Sequence, residues 1–160
     1  MSEGHGTVYL DSSIYLAVIK AELGRVDVSR RLLEGAQNGL YNIFASTLTV
    51  AEVCGNGAVR AAADVARVDQ LVAGFFSNAF IKWVDVDLPL AQHARALSRE
   101  HGLRGADAVH LASAIRAKCQ YLTAWDQDFP AGEFIGGVCV VEPIRLAGWV
   151  ELGPLGAFDE

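Results

Sequence analysis

Four acidic residues of this 160-residue chain stand in otherwise apolar stretches, and a fifth lies two positions beyond the last of them. Asp11 follows Val8, Tyr9 and Leu10, and no other Lys, Arg, Asp or Glu lies between Glu3 and Lys20. Glu52 is the only such charge between Glu34 and Arg60. Asp107 sits in Ala106-Asp107-Ala108-Val109-His110-Leu111, and Asp126 follows Leu122, Thr123, Ala124 and Trp125, with Asp128 close behind. A carboxylate is ordinarily solvated, because burying a lone one is costly. Each acid also has an ordinary reading. Asp11 suits a strand-end turn or a helix cap, and Glu52 the exposed side of a helix. Asp107 suits a helix N-terminus, where the dipole favours negative charge, and Asp126 or Asp128 suits a turn. At about 100° per residue, however, Asp107 projects near Leu111 and opposite Arg116, so it points inward or along a cleft.

The elements that must position these acids can be read from periodicity and punctuation. Apolar strands are expected at 8–10, 41–45, 79–84, 120–124 and 138–141. Helical spacing covers about 13–21, with Ser12 as its cap, and about 25–37, ending near Gly35 and Gly39. A helix opens at Ser46 or Thr47 and runs to about Cys54. Gly55-Asn56-Gly57 interrupts it, and helical spacing resumes over 58–76. Further helices are expected over 88–100 and 106–118. Residues 144–160 are Gly-rich and weakly patterned. Strands alternating with helices imply crossover connections and a mostly parallel five-stranded sheet covered on both faces. The chain reads as a single α/β domain over 1–160, with its core at about 6–143.

In such a sheet, Asp11 and Asp126 both follow strands whose carboxyl ends face one crevice, the usual ligand site. Asp107 enters from the same edge, and Glu52 lies about one turn into the helix after another strand. Four carboxylates from distant segments thus converge, and their mutual repulsion calls for protons or cations. Oxygen-only donors favour Mg²⁺ or Mn²⁺ over zinc. That chemistry matches metal-assisted phosphodiester hydrolysis, in which no covalent nucleophile is needed. Ser12, Ser46 and Thr47 lie beside the acids and read as hydrogen bonders that orient them.

Composition narrows the class. Hydrophobic residues are 52% of the chain and charged residues 20%, a balance that supports a packed core and argues against disorder. No apolar run approaches the roughly 20 residues of a membrane span, and the N-terminus does not read as a signal peptide, so a cytoplasmic protein is expected. The net charge of −6 argues against electrostatic coating of nucleic acid, but an acidic metal site is neutralised by its own cations. Ten of the 13 basic residues are Arg, the better fork for phosphate. Cys54, Cys119 and Cys139 form no Cys-x-x-Cys pair and read as buried reduced thiols.

The same residues carry a resemblance. Val8-Tyr9-Leu10-Asp11-Ser12-Ser13 looks like the opening strand and first acid of the PIN-domain family, and of its VapC-like type II toxin–antitoxin toxins in particular. Residues 46–53 resemble the second motif, with Glu52 as the acid. Residues 103–114, Leu-Arg-Gly-Ala-Asp-Ala-Val-His-Leu-Ala-Ser-Ala, resemble the third, with Asp107. Residues 122–129 resemble the fourth, with Asp126, or Asp128 as the alternative. Many members carry Thr or Ser two residues before the fourth acid; here Ala124 holds that place and Thr123 is one earlier. The resemblance implies a PIN-like three-layer sandwich with sheet order 3-2-1-4-5. It further implies Mg²⁺- or Mn²⁺-dependent cleavage of RNA by Asp11, Glu52, Asp107 and Asp126, dimerisation, and inhibition by a small antitoxin.

Several residues admit two readings. His110, one helical turn after Asp107, could bind substrate or metal, but a packed or hydrogen-bonded histidine is the ordinary expectation. His5, His93 and His101 form no ligand spacing. Arg104 could meet an RNA phosphate at the cleft edge or simply be solvated. Trp125 could stack on a base or pack in the core. The apolar residues of 58–76 read mostly as core, with some left for a dimer or antitoxin groove. Two other functions compete with the nuclease. A catalytically silent PIN-like binding module would not need all four acids. A phospho-acceptor receiver needs adjacent acids after its first strand and a late lysine, whereas Leu10 precedes Asp11 and no Lys follows Lys118.

Overall fold

The computed structural model describes residues 6–152. The chain runs β1 (Gly6–Leu10), α1 (Ser12–Ile19), α2 (Val26–Gln37), β2 (Tyr41–Ser46), α3 (Thr47–Gly55), α4 (Gly57–Arg60), α5 (Val65–Phe76), β3 (Ile81–Val84), α6 (Leu88–His101), α7 (Gly105–Arg116), β4 (Tyr121–Thr123), β5 (Phe134–Ile135), β6 (Val138–Val141) and α8 (Pro143–Leu152). The sheet order is β3-β2-β1-β4-β6-β5. All five expected strands are present and mutually parallel, in the 3-2-1-4-5 order. The sixth strand, β5, was not expected: two residues pairing antiparallel with β6 leave no periodic signal.

Side-chain alternation on β1 divides the interior. Val8 and Leu10 face a core shared with Tyr15 and Val18 of α1, Leu32 of α2 and Leu146 of α8. Tyr9 points the other way, into a second core with Leu90 and Leu97 of α6 and Leu111 of α7. This gives three layers, helices on either side of one sheet, and period two along a buried strand is the reason.

Local differences from the sequence reading have local causes. The cap of α1 is Asp11, whose side chain accepts from the Ser13 N–H, and not Ser12, which lies in the first turn. The helical spacing of 58–76 is broken at 61–64, and Asp64 caps a fresh helix through the Arg67 N–H. Within the weakly patterned tail, residues 143–152 form α8, which packs Leu146 and Ala147 into the core; residues 153–160 lie outside the described residues. Cys54 is exposed, so only Cys119 matches the buried-thiol expectation in full. Among the described residues, no helix is long and apolar enough to cross a membrane.

Candidate active site

β1 and β4 are neighbours, and they flank the point where the strand order reverses. A crevice at such a point opens beyond the carboxyl ends of the strands. Asp11 emerges from β1 there, and its backbone N–H donates to the Thr123 carbonyl at 3.1 Å, tying it to β4. Asp126 emerges from β4. Asp107 stands in the first turn of α7, buried, and Glu52 lies half-buried on α3. The cap role and the site role of Asp11 coincide: the carboxylate that accepts the Ser13 N–H at 3.1 Å is 4% exposed and faces His110.

The edge has two parts. On one side, His110 of α7 is fully buried. Its Nε2 lies 3.4 Å from Asp11 Oδ1 and is hydrogen-bonded to Glu52 Oε1. Its Nδ1 lies 2.6 Å from the Tyr9 hydroxyl, which accepts the Ser46 N–H at 2.9 Å. Burial by itself lowers the His110 pKa, but the Glu52 hydrogen bond and the charges of Asp11, Glu52 and Asp107 outweigh it and hold that pKa above its usual range. As the cation, the ring donates through both nitrogens, to Tyr9 and to Glu52. Burial raises the Tyr9 phenol well beyond its ordinary value, so Tyr9 stays neutral.

On the other side, one ligand oxygen each of Asp107, Asp126 and Asp128 lie within 4.8 Å of one another. Arg104 answers all three: Nε to Asp107 Oδ2 at 3.2 Å, Nη2 to Asp126 Oδ2 at 2.5 Å, and Nη2 to Asp128 Oδ2 at 3.5 Å. Burial, and then the Asp126 and Asp11 charges, raise the Asp107 carboxyl above its ordinary value against the pull of Arg104. Asp126 Oδ1 also accepts the Asp128 N–H at 2.9 Å, closing the turn that presents both acids. Three hard carboxylate oxygens this close are a donor set that suits a divalent cation such as Mg²⁺ or Mn²⁺.

The structure thus gathers the four acids expected from the sequence at one edge and sets Asp128 beside Asp126 instead of separating them. The hydroxyls go to varied places. Ser46 Oγ caps α3 through the Leu48 N–H, and Thr47 Oγ1 accepts from the Val86 N–H at 3.4 Å. Ser12 is buried, and Thr123 Oγ1 is buried without a hydrogen-bond partner among the described residues. Trp125 donates Nε1–H to Ser29 Oγ at 2.8 Å and carries the Arg25 guanidinium 5.3 Å from its ring centre. It packs half-buried against the core and walls a cleft of about 710 Å³ that also reaches Asp126, Leu23, Pro130 and Ile144. The hydrogen-bonded reading of His110 is the one realised.

Two residues went unnoticed in the sequence. Tyr9 looked like one more apolar strand residue, although its position between inward-facing neighbours directs it to the α7 side. Ser13 Oγ accepts the Trp125 N–H at 3.0 Å, so Ser13 links the loops of the first and fourth acids. The two adjacent serines after Asp11 gave no means of choosing between them.

Comparison with known proteins agrees with this geometry. The family model for the PIN domain matches residues 8–134. The chain belongs to the PIN-domain family. Ribonuclease VapC45 and Ribonuclease VapC49, from two strains of Mycobacterium tuberculosis, are each 33% identical to this PIN-domain chain over 151 residues, covering 87% of it and 96% of either relative. Among solved structures, Mycobacterium tuberculosis VapC20, a Sarcin-Ricin loop cleaving toxin, superposes with a TM-score of 0.64 at 20% identity, covering 81% of this chain and 97% of that one. Rickettsia felis VapBC2, solved bound to a DNA fragment from its promoter, gives 0.61 at 18% identity, with 85% and 98% covered. At those identities the solved structures speak for the fold alone. They agree with a PIN architecture for this chain.

Proposed function

We propose that this chain is a metal-dependent endoribonuclease that hydrolyses RNA phosphodiester bonds and serves as the toxin of a type II toxin–antitoxin pair. The observation that carries this reading is the convergence of Asp107, Asp126 and Asp128 on one small volume, beside the buried Asp11 and the half-buried Glu52. The names of the Mycobacterium tuberculosis relatives as ribonucleases support RNA as the substrate. Because the sheet draws on segments from Gly6 to Val141, we take the chain to act as one domain.

In this reading Asp11, Asp107, Asp126 and Glu52 form the catalytic set, with Asp128 as an alternative or additional ligand, and they would hold Mg²⁺ or Mn²⁺. A divalent cation bound there supplies Lewis acidity toward a phosphodiester oxygen and toward the attacking water. The protein's own groups do the positioning. The Ser13 N–H and His110 fix the Asp11 carboxylate, and His110 with Tyr9 behind it fixes Glu52. Thr123, Ser12, Ser46 and Thr47 shape the strand ends and caps from which the acids project. In this reading Arg104 and the rim of Trp125 would meet the RNA backbone or a base, and the volume of the adjoining cleft supports a nucleotide-sized ligand. A small antitoxin is the proposed partner and a homodimer the proposed assembly; solved structures of similar fold include a toxin–antitoxin complex from Klebsiella pneumoniae and a member of the VapBC family of toxin–antitoxin systems from Mycobacterium tuberculosis.

The test is to incubate the purified chain with mixed RNA, with and without Mn²⁺, and repeat with Asp11→Asn and Asp107→Asn. Cleavage that needs Mn²⁺ and disappears in both variants is expected. Cleavage without any divalent ion, or full activity in both variants, would reject the reading. Absence of cleavage with intact Mn²⁺ binding would favour a silent binding module instead.

A further inference from the structure

We propose that Arg104 is the resident counter-ion of the cation site, and that its guanidinium must withdraw from Asp107, Asp126 and Asp128 for a divalent cation to bind. This rests on the reading that those carboxylates hold such a cation. One guanidinium engages all three acids at once, at 3.2, 2.5 and 3.5 Å. The three acids it answers are the ones that can each bring an oxygen within 4.8 Å of the other two. Guanidinium and cation therefore compete for the same three carboxylates.

Arg104 cannot make way by losing a proton, since an arginine remains charged at any pH a folded protein survives. It can make way only by moving, and the structure lets it. Its side chain is 68% exposed. Its backbone precedes α7 in an extended conformation and makes no side-chain cap bond. Gly105 beside it has open space around it. Withdrawal moves an exposed guanidinium away from an exposed Asp128, a partly buried Asp126 and a buried Asp107, and the arriving dication answers the buried carboxylate in its place, so no buried charge is left unpaired. The His110 imidazole, by contrast, is fully buried between Tyr9 and Glu52 and has no such freedom. A compact dication also satisfies three clustered carboxylates better than one delocalised positive charge spread over a planar fork.

A second consequence follows from geometry. A guanidinium expelled from the acids stays tethered at the rim of the crevice, where its fork suits a phosphate. Arg104 is then an acid-holding residue in the ion-free protein and a phosphate-facing one when the site is loaded. Cation entry and the appearance of a free cationic fork become one event, so cation and RNA backbone favour each other's binding.

Calorimetric titration of Mn²⁺ into the full chain, R104Q and R104K at pH 7 tests this. R104Q is expected to bind Mn²⁺ at least about five-fold tighter than the parent, with R104K in between. In a parallel titration with diamagnetic Mg²⁺, the Arg104 Nε–H resonance, assigned by its loss in R104Q, is expected to lose its hydrogen-bonded shift as the ion binds. Equal or weaker Mn²⁺ binding by R104Q, or an Nε–H resonance unmoved by saturating Mg²⁺, would overturn the proposal. Failure of parent and variants alike to take up Mn²⁺ would overturn the cation reading itself, which separates the two failures.

Discussion

On the Glu52 side of the acidic edge, charge is answered by a buried imidazole whose two nitrogens both have partners; on the Asp128 side, it is answered by an arginine whose side chain is 68% exposed. The two sides face similar electrostatic problems. His110 is locked by the sheet: Tyr9, between Val8 and Leu10, has no other direction to point, and the Ser46 N–H holds its hydroxyl in place. Arg104 is held by its ion pairs alone. A permanently fixed countercharge serves to preserve the shape of the edge. A removable one leaves room for a ligand. Asp107 belongs to both sides, since it accepts from Arg104 and contributes to the field on His110.

That position makes Asp107→Asn the most damaging change. RNA cleavage in Mn²⁺ should fall by at least about 100-fold, because even residues that only orient metal ligands typically cost 10–100-fold. Activity within about three-fold of the parent would erase the division between the two sides. Next in size, His110→Ala should lower unfolding free energy by about 3 kcal/mol in urea titration, the scale for breaking a buried charged pair from one side. His110 is held above its ordinary value in the fold, so its stabilising contribution is present at low pH and is lost as pH rises through that raised value. His110→Gln should flatten this decline, and an unchanged pH profile of stability would count against a charged His110.

Tyr9→Phe leaves the Ser46 N–H and His110 Nδ1 without their shared partner, and should cost about 1–2 kcal/mol by the same measurement. A stability equal to the parent would mean that the buried side is not held as described. The open side should respond differently. Asp107 is raised above its usual range by burial, so protons compete with the cation at a higher pH than for an ordinary aspartate. Mn²⁺ affinity should therefore decline on acidification, falling as pH drops toward and through that raised value. Affinity constant down to the pH of acid unfolding would contradict this. The smallest expected effect is Asp128→Asn, with unfolding free energy unchanged within about 0.5 kcal/mol and Mn²⁺ affinity weakened less than by Asp126→Asn. The reverse order would name Asp128 as the fourth acid.

The five parallel strands were legible because buried strands in such a sheet are short apolar runs bounded by turns and helices, a signal written in adjacent residues. β5 escaped because two residues cannot display a period. α8 escaped because its Gly148 and single buried stripe, Leu146 and Ala147, look alike in a helix and in a loose tail. The acids of the site were legible as charges in apolar company, since desolvation makes such a placement costly unless something compensates it. Their compensation was not legible. The sequence suits His110 to a packed or hydrogen-bonded role, and it is both, but carries no sign of which residues it joins.

By itself, then, the amino-acid order determined where strands, helices and anomalous carboxylates fall, because periodicity and desolvation are properties of neighbouring residues. Only the tertiary structure decided which cation answers which acid. Tyr9 meets His110 across 101 positions, His110 meets Glu52 across 58, and Arg104 meets Asp126 across 22. Those pairings depend on distances of a few ångströms between segments that only the crossover topology brings together, and Coulomb and hydrogen-bond energies are decided at that range.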